Sequence, residues 1–295
     1  GLLSDTCRAT RPSCIVISMT DFTLAFIGGG NMAGSLIGGL IADGWSPGRI
    51  QVADPDAAKT TRLAERFPIM TTRDNSEAIA NADAVILAVK PQILHEVAGQ
   101  IAPAISRQQP VVISIAAGIG ESSLRGWLGD DTAIVRCMPN TPALVQSGAT
   151  ALYANARVSE EQRSLAESVL RAVGLVLWVD DEAQMDAVTA LSGSGPAYFF
   201  LFMEALQAAG TELGLAADTA RLLSLQTAFG AAKMALESRE DAATLRHRVT
   251  SPGGTTERAI EVFRQEGFES IVLKALQAAA ARSHELAAEL GGDAS

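Results

Sequence analysis

The stretch TLAFIGGGNMAGSLIGG, residues 23–39, decides how the first half of the chain is organised. A short apolar run ends in glycines, and a helical pattern begins directly after them. Gly28, Gly30 and Ala33 keep the spacing Gly-x-Gly-x-x-Ala. The first permits a tight turn, the second lets the backbone approach a pyrophosphate, and the third lets the helix pack on the strand. Strand, turn and helix in this order predict a dinucleotide-binding site, with tight packing alone as the alternative.

Short apolar runs continue to alternate with helical patterns as far as about residue 180. Their composition is almost continuously apolar, which is typical of parallel strands that are buried on both faces. We therefore predict a Rossmann-like α/β domain, in which helices cover both faces of a parallel sheet. The predicted strands are 23–27, 49–54, 83–89, 110–118, 132–139, 149–154 and 174–179.

Asp54 ends the second predicted strand. An acid at this place usually accepts hydrogen bonds from the ribose hydroxyls of NAD and repels the 2′-phosphate of NADP. The run Asp54-Pro55-Asp56 also begins a helix well, so Asp54 fits a helix N-cap or an Asx turn equally. The two roles are compatible, and both remain open.

Two later strand ends are expected to face the same crevice, because ligands bind beyond the carboxyl ends of parallel strands. They are Ala88-Val89-Lys90-Pro91 and Ala116-Ala117-Gly118. Their small residues leave room for a flat ring. Lys90 has two open interpretations, a phosphate contact and a solvated surface charge.

No strand pattern continues beyond about residue 184, where only helical patterns follow. The helices over 197–214 and 217–238 are apolar nearly all round, and Arg221 and Lys233 are almost the only charges between 219 and 235. A helix that is apolar on every side needs burial on every side, which a domain of five helices hardly supplies. We predict an all-α dimerisation domain; burial against the first domain is the alternative. The remaining predicted helices are 184–191, 256–267 and 269–290.

The fold class that follows is α/β, with an N-terminal Rossmann-like dinucleotide-binding domain followed by an all-α dimerisation domain. We expect the first domain to span residues 19–182 and the helical domain, which also binds substrate, to span 183–290. Residues 1–18 do not match the strand pattern that begins at Thr23, and we expect them to be a disordered N-terminal extension.

Composition excludes several classes of partner. The net charge is −10 and no run of Lys or Arg stands out, so nothing favours nucleic acid or a membrane surface. No apolar run reaches the roughly 20 residues that span a bilayer. Three cysteines, Cys7, Cys14 and Cys137, form neither a disulfide framework nor a metal-ligand spacing. We expect a cytoplasmic protein without a metal.

The stretch TSPGGTT, residues 250–256, interrupts the helical patterns with small, hydroxylic or absent side chains. Gly253 and Gly254 can adopt backbone angles that turn their N–H groups inward. The next helix begins near Thr255, and its N-terminus attracts an anion. The stretch predicts an anion pocket built largely from backbone, although a turn with a helix cap is the simpler alternative.

Strong acid–base groups are missing from the predicted crevice. The three histidines are His95, His247 and His284, and none of them stands at a predicted strand end. Alcohol oxidation usually requires a base. The pattern therefore favours an imine, which is protonated in solution and accepts a hydride readily.

Six motifs resemble those of the pyrroline-5-carboxylate reductase family, in the family's order and from about Phe22 to the last helix. The resemblance implies reduction of 1-pyrroline-5-carboxylate to L-proline by NAD(P)H, the last step of proline biosynthesis. It also implies a homodimer that interlocks through the helical domain and in some members assembles into a ring. The motifs are IGGGNMA (27–33), AVKPQ (88–92), SIAAGI (114–119), RCMPNTP (136–142), LSGSGPAY (191–198) and TSPGGTT (250–256).

The resemblance also implies site residues. Thr256 is expected to be the catalytic group, hydrogen-bonded to the ring nitrogen of the substrate. NADPH is the expected cofactor. Many family members have serine, asparagine or arginine at the position of Asp54, and those residues suit a 2′-phosphate. The aspartate of this chain therefore makes NADH plausible as well. Substrate contacts are expected at Ser251, Gly253, Gly254, Thr255 and Thr256. Cofactor contacts are expected at Ile27, Gly28, Gly29, Gly30, Asn31, Met32, Asp54, Asn75, Ala88, Val89, Lys90, Pro91, Ala116, Ala117 and Gly118.

Two other functions remain open. A β-hydroxyacid dehydrogenase shares a dinucleotide domain followed by helices, but it needs a lysine deep in the helical half. Lys233 and Lys274 are the lysines there, and neither lies in a polar cluster. A non-enzymatic NAD(P)-sensing dimer is the third possibility, and it has no use for a second anion site at residues 250–256.

Overall fold

The computed structural model describes residues 18–291. The expectation of a disordered extension concerns residues 1–18, which apart from Ser18 lie outside the described part. The described chain begins with a Rossmann-like half and continues into a helical half. Within residues 18–291, no helix combines the length and the apolarity that crossing a membrane requires.

An eight-stranded sheet forms the first half, with the strand order β3-β2-β1-β4-β5-β6-β7-β8. The strands are β1 (Leu24–Ile27), β2 (Ile50–Ala53), β3 (Met70–Thr72), β4 (Ala84–Leu87), β5 (Val111–Ser114), β6 (Ile134–Met138), β7 (Gly148–Ala154) and β8 (Gly174–Trp178). The helices of this half are α1 (Asn31–Ala42), α2 (Ala57–Arg66), α3 (Asn75–Ile79), α4 (Pro91–Gln108), α5 (Glu121–Leu128) and α6 (Glu160–Arg171).

Helices cover both faces of this sheet, as predicted. One core cluster joins the sheet to α1, α2 and α6, and a second joins it to α3, α4 and α5. The four residues of β1 are all buried, and so are those of β4 and β5. Burial on both faces is what their uninterrupted apolar sequence requires.

Two features of the sheet differ from the prediction. The pairing of β6 with β7 is antiparallel, so the sheet is not parallel throughout. The connection between them, residues 139–147, contains only a short 3-10 turn, whereas a parallel connection needs a crossover of about a dozen residues or more. Strand β3 was not predicted, because its three residues lie at the edge of the sheet and none of them is buried.

The second half of the described chain contains six helices rather than five. They are α7 (Gln184–Val188), α8 (Gly195–Glu212), α9 (Ala217–Glu237), α10 (Ala242–Arg248), α11 (Thr255–Gln265) and α12 (Phe268–Gly291). A π-helical turn, Thr189–Gly193, joins α7 to α8. The additional helix is α10, which is short and has no buried residue. A helix that buries no side chain needs no apolar stripe, and without such a stripe its sequence did not predict it.

Helices α8 and α9 pack on each other and leave most of their apolar surface uncovered. The exposed fraction is 65% for Phe199, 64% for Phe200 and 62% for Phe229. The buried residues of the two helices are Gly195 and Ala220. The structure therefore does not bury these helices against the first half, and that alternative is wrong.

Candidate functional site

The glycine loop after β1 is shaped by close backbone packing at its first glycine. Gly28 has a φ of +102°, and its N–H donates to the carbonyl of Ala53 at 2.8 Å. A Cβ at this position would lie 2.5 Å from the carbonyl oxygen of Ala88. Gly28 thus holds the ends of β1, β2 and β4 together. A side chain would collide there and would also strain the backbone.

Gly30 lies in the same loop but has open space around it. A Cβ at this position would meet no atom within 4 Å. Gly30 is the N-cap of α1, and its carbonyl accepts the N–H of Gly34 at 3.0 Å. The first N–H groups of α1, those of Asn31 and Met32, have no partner within the helix and carry its positive dipole end. This end of α1 is suited to a pyrophosphate.

Asp54 has a structural task that the sequence did not reveal. It is 5% exposed, and one carboxylate oxygen accepts the N–H of Gly29 at 2.8 Å. The other oxygen accepts the N–H of Asp56 at 2.9 Å. The N-cap of α2 is Asp56, so Asp54 is not the cap, but its bond to the N–H of Asp56, two residues on, is the Asx turn that was the other form of this alternative. Asp54 instead ties the glycine loop to the end of β2.

Three basic side chains share a cavity with the glycine loop. They are Lys59, Arg62 and Arg66, which stand on one face of α2 because their spacing is i, i+3 and i+7. The cavity has a volume of about 240 Å³ and also includes Gly29 and Gly30. The Lys59 ammonium lies 3.4 Å from the Asp54 carboxylate and is partly neutralised by it. The basic face was readable in the sequence as three cations at helical spacing directly after the second strand.

The other strand ends meet the glycine loop at the same edge of the sheet. Ile27 is in register with Ala53 on one side and with Leu87 on the other, and Leu87 is in register with Ser114. The β1–β4 neighbourhood is the point where the strand order reverses, which is where such sheets bind ligands. Residues 28–32, 54, 88–91 and 116–118 therefore lie along one crevice edge.

The predicted residues around this crevice differ in what they offer. Ala88 is fixed by a hydrogen bond from its N–H to the carbonyl of Ile27 at 2.8 Å. The side chain of Ile27 is buried in the sheet, so this residue offers only backbone. Lys90 is exposed and takes part in none of the ion pairs found within residues 18–291. Asn75 is partly buried and begins α3, after the N-cap Asp74.

The loop at residues 250–256 uses its glycines differently from the prediction. Gly253 has a φ of +70°, but its N–H donates to the Glu257 carboxylate at 2.7 Å. The N–H of Gly254 donates to the carbonyl of Ser251 at 3.0 Å. Both groups are therefore engaged within the loop rather than turned towards an anion. The donors that remain for an anion are the first N–H groups of α11, at Thr255 and Thr256.

Within the described residues, hydrogen bonds do not join this loop to the crevice. No hydrogen bond or ion pair of the described residues links 250–256 to residues 27–32, 88–91 or 116–118. The elements around the loop pack within the helical half, where Phe263 of α11 contacts Phe202 and Phe268. One chain thus brings the predicted cofactor residues to one edge of the sheet, but no hydrogen bond or ion pair of the described residues joins the predicted substrate residues to them.

Reactive side chains elsewhere in the described chain do not compete for the site. Burial raises the pKa of the Cys137 thiol far above its usual range, so this cysteine stays protonated and inert. His95 packs against Trp127 with ring centroids 4.8 Å apart, away from the strand ends. The described part of the chain contains no group of three or more His, Cys, Asp or Glu side chains arranged to hold a metal ion.

Comparison with known proteins covers both halves. A family model described as pyrroline-5-carboxylate reductase dimerisation matches residues 182–286, and one described as NADP oxidoreductase coenzyme F420-dependent matches 23–118. The chain is 56% identical to a pyrroline-5-carboxylate reductase of Pseudomonas aeruginosa over 268 residues, which cover 91% of this chain and 98% of that one. It is 44% identical to the enzyme of the same name from Pasteurella multocida, over 90% of this chain and 97% of the other.

Solved structures give the same result. A pyrroline-5-carboxylate reductase from Coxiella burnetii superposes with a TM-score of 0.88 at 48% identity, covering 90% of this chain and 98% of that one. The Plasmodium falciparum pyrroline carboxylate reductase with NADP bound has a TM-score of 0.79 at 30% identity, covering 92% of this chain and all of the other.

Proposed function

Because the chain belongs to the pyrroline-5-carboxylate reductase family, we infer that it reduces 1-pyrroline-5-carboxylate to L-proline with a hydride from NAD(P)H, the last step of proline biosynthesis. The observation that carries this conclusion is the 56% identity over 91% of the chain, which includes both halves and all six motifs. The dehydrogenase and sensor alternatives are not favoured. Lys233, which a dehydrogenase would need in a polar pocket, is exposed beside Glu237 at 3.8 Å.

The dinucleotide is proposed to lie along the crevice of the first half. Its pyrophosphate would rest on the N-terminus of α1, where Gly30 leaves space for it. Its nicotinamide would lie beside Ala116–Gly118, and the strand end 88–91 would line the path between the two. Asn75 would contact the dinucleotide from the start of α3.

NADPH is the proposed physiological cofactor. The carboxylate of Asp54 is already engaged by two backbone N–H groups, so it is a weak acceptor for a ribose. Arg62 and Arg66 are exposed in the cavity beside the glycine loop, where a 2′-phosphate would find cations. The Lys59 ammonium, shared with Asp54, would add to the same field.

The TSPGGTT loop is proposed to hold the substrate. The carboxylate would accept the first N–H groups of α11, at Thr255 and Thr256, and the hydroxyl of Ser251. Gly253 and Gly254 would contact the ring and shape the loop, with their N–H groups engaged by Glu257 and Ser251.

The reaction needs little acid–base chemistry from the chain. The cofactor supplies a hydride to the carbon of the C=N bond, and the nitrogen carries a proton taken from solution. The hydroxyl of Thr256 would hydrogen-bond the ring nitrogen and orient the ring. It is too weak an acid to act as the proton donor. The chain's contribution is therefore positioning, which can supply a large part of a rate enhancement.

A homodimer would complete the site. The family model for dimerisation matches residues 182–286, and the exposed apolar surfaces of α8 and α9 lie within that range. We propose that the loop of one protomer meets the dinucleotide crevice of its partner, since no hydrogen bond or ion pair of the described residues joins the two within one chain. We also propose that dimers assemble into a ring, that the protein is cytoplasmic and that a domain boundary lies at residues 182/183. Sedimentation tests the ring, cell fractionation tests the location, and limited proteolysis tests the boundary.

The function is tested by steady-state assays. Consumption of NADPH with 1-pyrroline-5-carboxylate is the expected result, with proline as the product. The comparison assay offers an α-hydroxy acid with NAD⁺. Oxidation of the hydroxy acid without reduction of the imine would assign the chain to the dehydrogenases, and binding of NADPH without any turnover would support the sensor.

A further inference from the structure

The last turns of α12 pack against the loop that follows β5, residues 115–120. Gly118 has a φ of +76°, and a Cβ at this position would lie 3.3 Å from a methyl group of Leu290. The same position lies in ordinary contact with the α12 backbone, 4.0 Å from the nitrogen of Ala287. Leu290 is partly buried and packs against the core cluster that contains α4 and α5. The end of α12 therefore packs against the dinucleotide half next to this loop.

The far end of the same loop is held by Glu182. One oxygen of its carboxylate accepts the N–H of Glu121, the first residue of α5, at 2.7 Å. The same oxygen accepts a hydrogen bond from the Arg136 guanidinium at 2.8 Å. The side chain of Arg136 is 12% exposed and that of Glu182 is 28% exposed, so solvent screens this pair only partly. Arg136 belongs to the motif RCMPNTP, to which no role has been given so far.

Helix α12 connects this loop with the other end of the helical half. Its 24 residues span about 36 Å. It begins at Phe268, whose ring packs against Phe263 of α11 at 5.7 Å between centroids. Ser283, near its middle, donates to the Asp186 carboxylate of α7 at 2.6 Å. Its last residue, Gly291, has its carbonyl 3.5 Å from the hydroxyl of Ser123 in α5. One rigid element therefore joins the substrate half to the cofactor crevice.

We propose that Glu182 and Leu290 are positioning residues for the nicotinamide end of the dinucleotide, acting through the loop at 115–120. The proposal rests on the placement of the nicotinamide beside Ala116–Gly118. Leu290 lies beyond the residues that the family model for dimerisation matches. The loop needs support from outside because it ends a strand and contains a glycine at positive φ. A shift of about 1 Å in a reacting group costs up to about a hundredfold in rate, so small movements of this loop matter.

Leu290→Ala and Glu182→Met test the proposal; methionine keeps the length of Glu182 but removes the oxygen that accepts from Glu121 and Arg136. We expect each to lower kcat by roughly tenfold and to raise the dissociation constant for NADPH and its KM by roughly fivefold to tenfold, while the KM for the imine acid at saturating NADPH stays within about twofold. Binding is measured by the fluorescence of bound NADPH, which needs no turnover. Leu290→Met, which keeps volume and apolarity, restores binding. The matched controls are Glu289→Ala, on the same turn but in the exposed pair with Arg282, and Asp180→Asn, exposed in the same linker.

Two results would overturn the proposal. One is wild-type affinity for NADPH in both variants; the other is an equal loss in the two KM values together with dissociation of the dimer. If Leu290→Ala does not fold, Glu182→Met decides alone, because its substitution keeps the size of the side chain and removes both hydrogen bonds. Wild-type protein that binds NADPH without reducing the imine would contradict the proposed function and leave this binding test intact.

Discussion

The two halves of the molecule bury their apolar side chains to very different degrees. In the first half the sheet lies between two closed core clusters, and residues such as Phe26, Ile86 and Val112 have no exposed surface. In the second half most of the large apolar side chains are exposed, from Phe199 in α8 to Leu273 in α12. The first half therefore encloses most of its own core, to which α12 adds Leu290, whereas the second leaves apolar faces that need a partner surface.

The functional site follows the same division. The proposed cofactor residues converge within one chain, because parallel strand register places their strand ends at one edge. The loop proposed to hold the substrate lies in the second half, where its residues are partly or fully exposed. Cofactor binding and catalysis are thus expected to respond differently to loss of the dimer. The predictions below test this contrast.

The largest effect is expected from charges in the uncovered apolar surface. Phe200→Asp combined with Phe229→Asp places two carboxylates where a partner is expected to pack. An uncompensated buried charge costs about 3–5 kcal/mol, and a symmetric interface counts each one twice. We expect a monomer in sedimentation, at least a hundredfold loss of activity, and NADPH affinity close to that of wild type.

The control for this pair is Met70→Asp, at an exposed position of the first half. It should leave the dimer and its activity unchanged. A double variant that stays dimeric and active would show that the exposed surfaces of α8 and α9 are not the interface.

The next effect separates two glycines of one loop. Gly30→Val is expected to abolish dinucleotide binding without lowering the melting temperature, because its side chain enters the open space proposed for the pyrophosphate. Gly28→Val is expected to destabilise the protein instead, since its Cβ would lie 2.5 Å from a carbonyl oxygen at a φ of +102°. Calorimetry and NADPH titration of both variants distinguish the two losses. Unchanged NADPH affinity in Gly30→Val would exclude this placement of the pyrophosphate.

The sequence could predict the contrast between the halves because it depends on composition and period. Near-continuous apolar strands and the glycine spacing define the first half, and helices without a polar face define the second. The short strand β3 and helix α10 were missed, because neither buries enough apolar surface to leave a periodic pattern. The antiparallel step between β6 and β7 depends on the length of a connection whose boundaries sequence reasoning locates poorly.

The details of the site were less predictable for a different reason. The sequence marked Asp54 and Gly253 as ligand contacts, which stay predictions, but it did not show that hydrogen bonds within the protein engage both. Such bonds depend on the rotamer of Asp54 or Glu257 and on exact loop geometry, which no spacing rule specifies. Leu290 was invisible for the same reason, since its partner Gly118 lies far away along the chain.

Within the loop at residues 250–256, substitution of a threonine side chain and substitution of a glycine are expected to change different kinetic constants. Thr256→Ala is expected to lower kcat by roughly tenfold to a hundredfold, the effect of one or two hydrogen bonds of about 1.4 kcal/mol each. Gly254→Ala should mainly raise the KM for the imine acid, because its Cβ would lie 3.0 Å from the carbonyl of Ser251 and displace the loop. Thr244→Ala, on the exposed face of α10, serves as the control. Steady-state kinetics at saturating NADPH measure both variants, and wild-type values in both would reduce the loop to a connection between helices.

The smallest effect concerns the choice between NADPH and NADH, and it involves only residues of the first half. Arg62→Ala removes an exposed cation from the cavity beside the glycine loop, where a partly exposed charge contact is worth about 1 kcal/mol. We expect the ratio of kcat/KM for NADPH to that for NADH to fall about fivefold, with NADH kinetics unchanged. Asp54→Asn should behave differently: it weakens the bond to the N–H of Gly29 and therefore lowers the affinity for both cofactors. If Asp54→Asn instead shifts the ratio towards NADPH and Arg62→Ala leaves it unchanged, then Asp54 governs cofactor choice by repelling the 2′-phosphate, and the basic face of α2 does not.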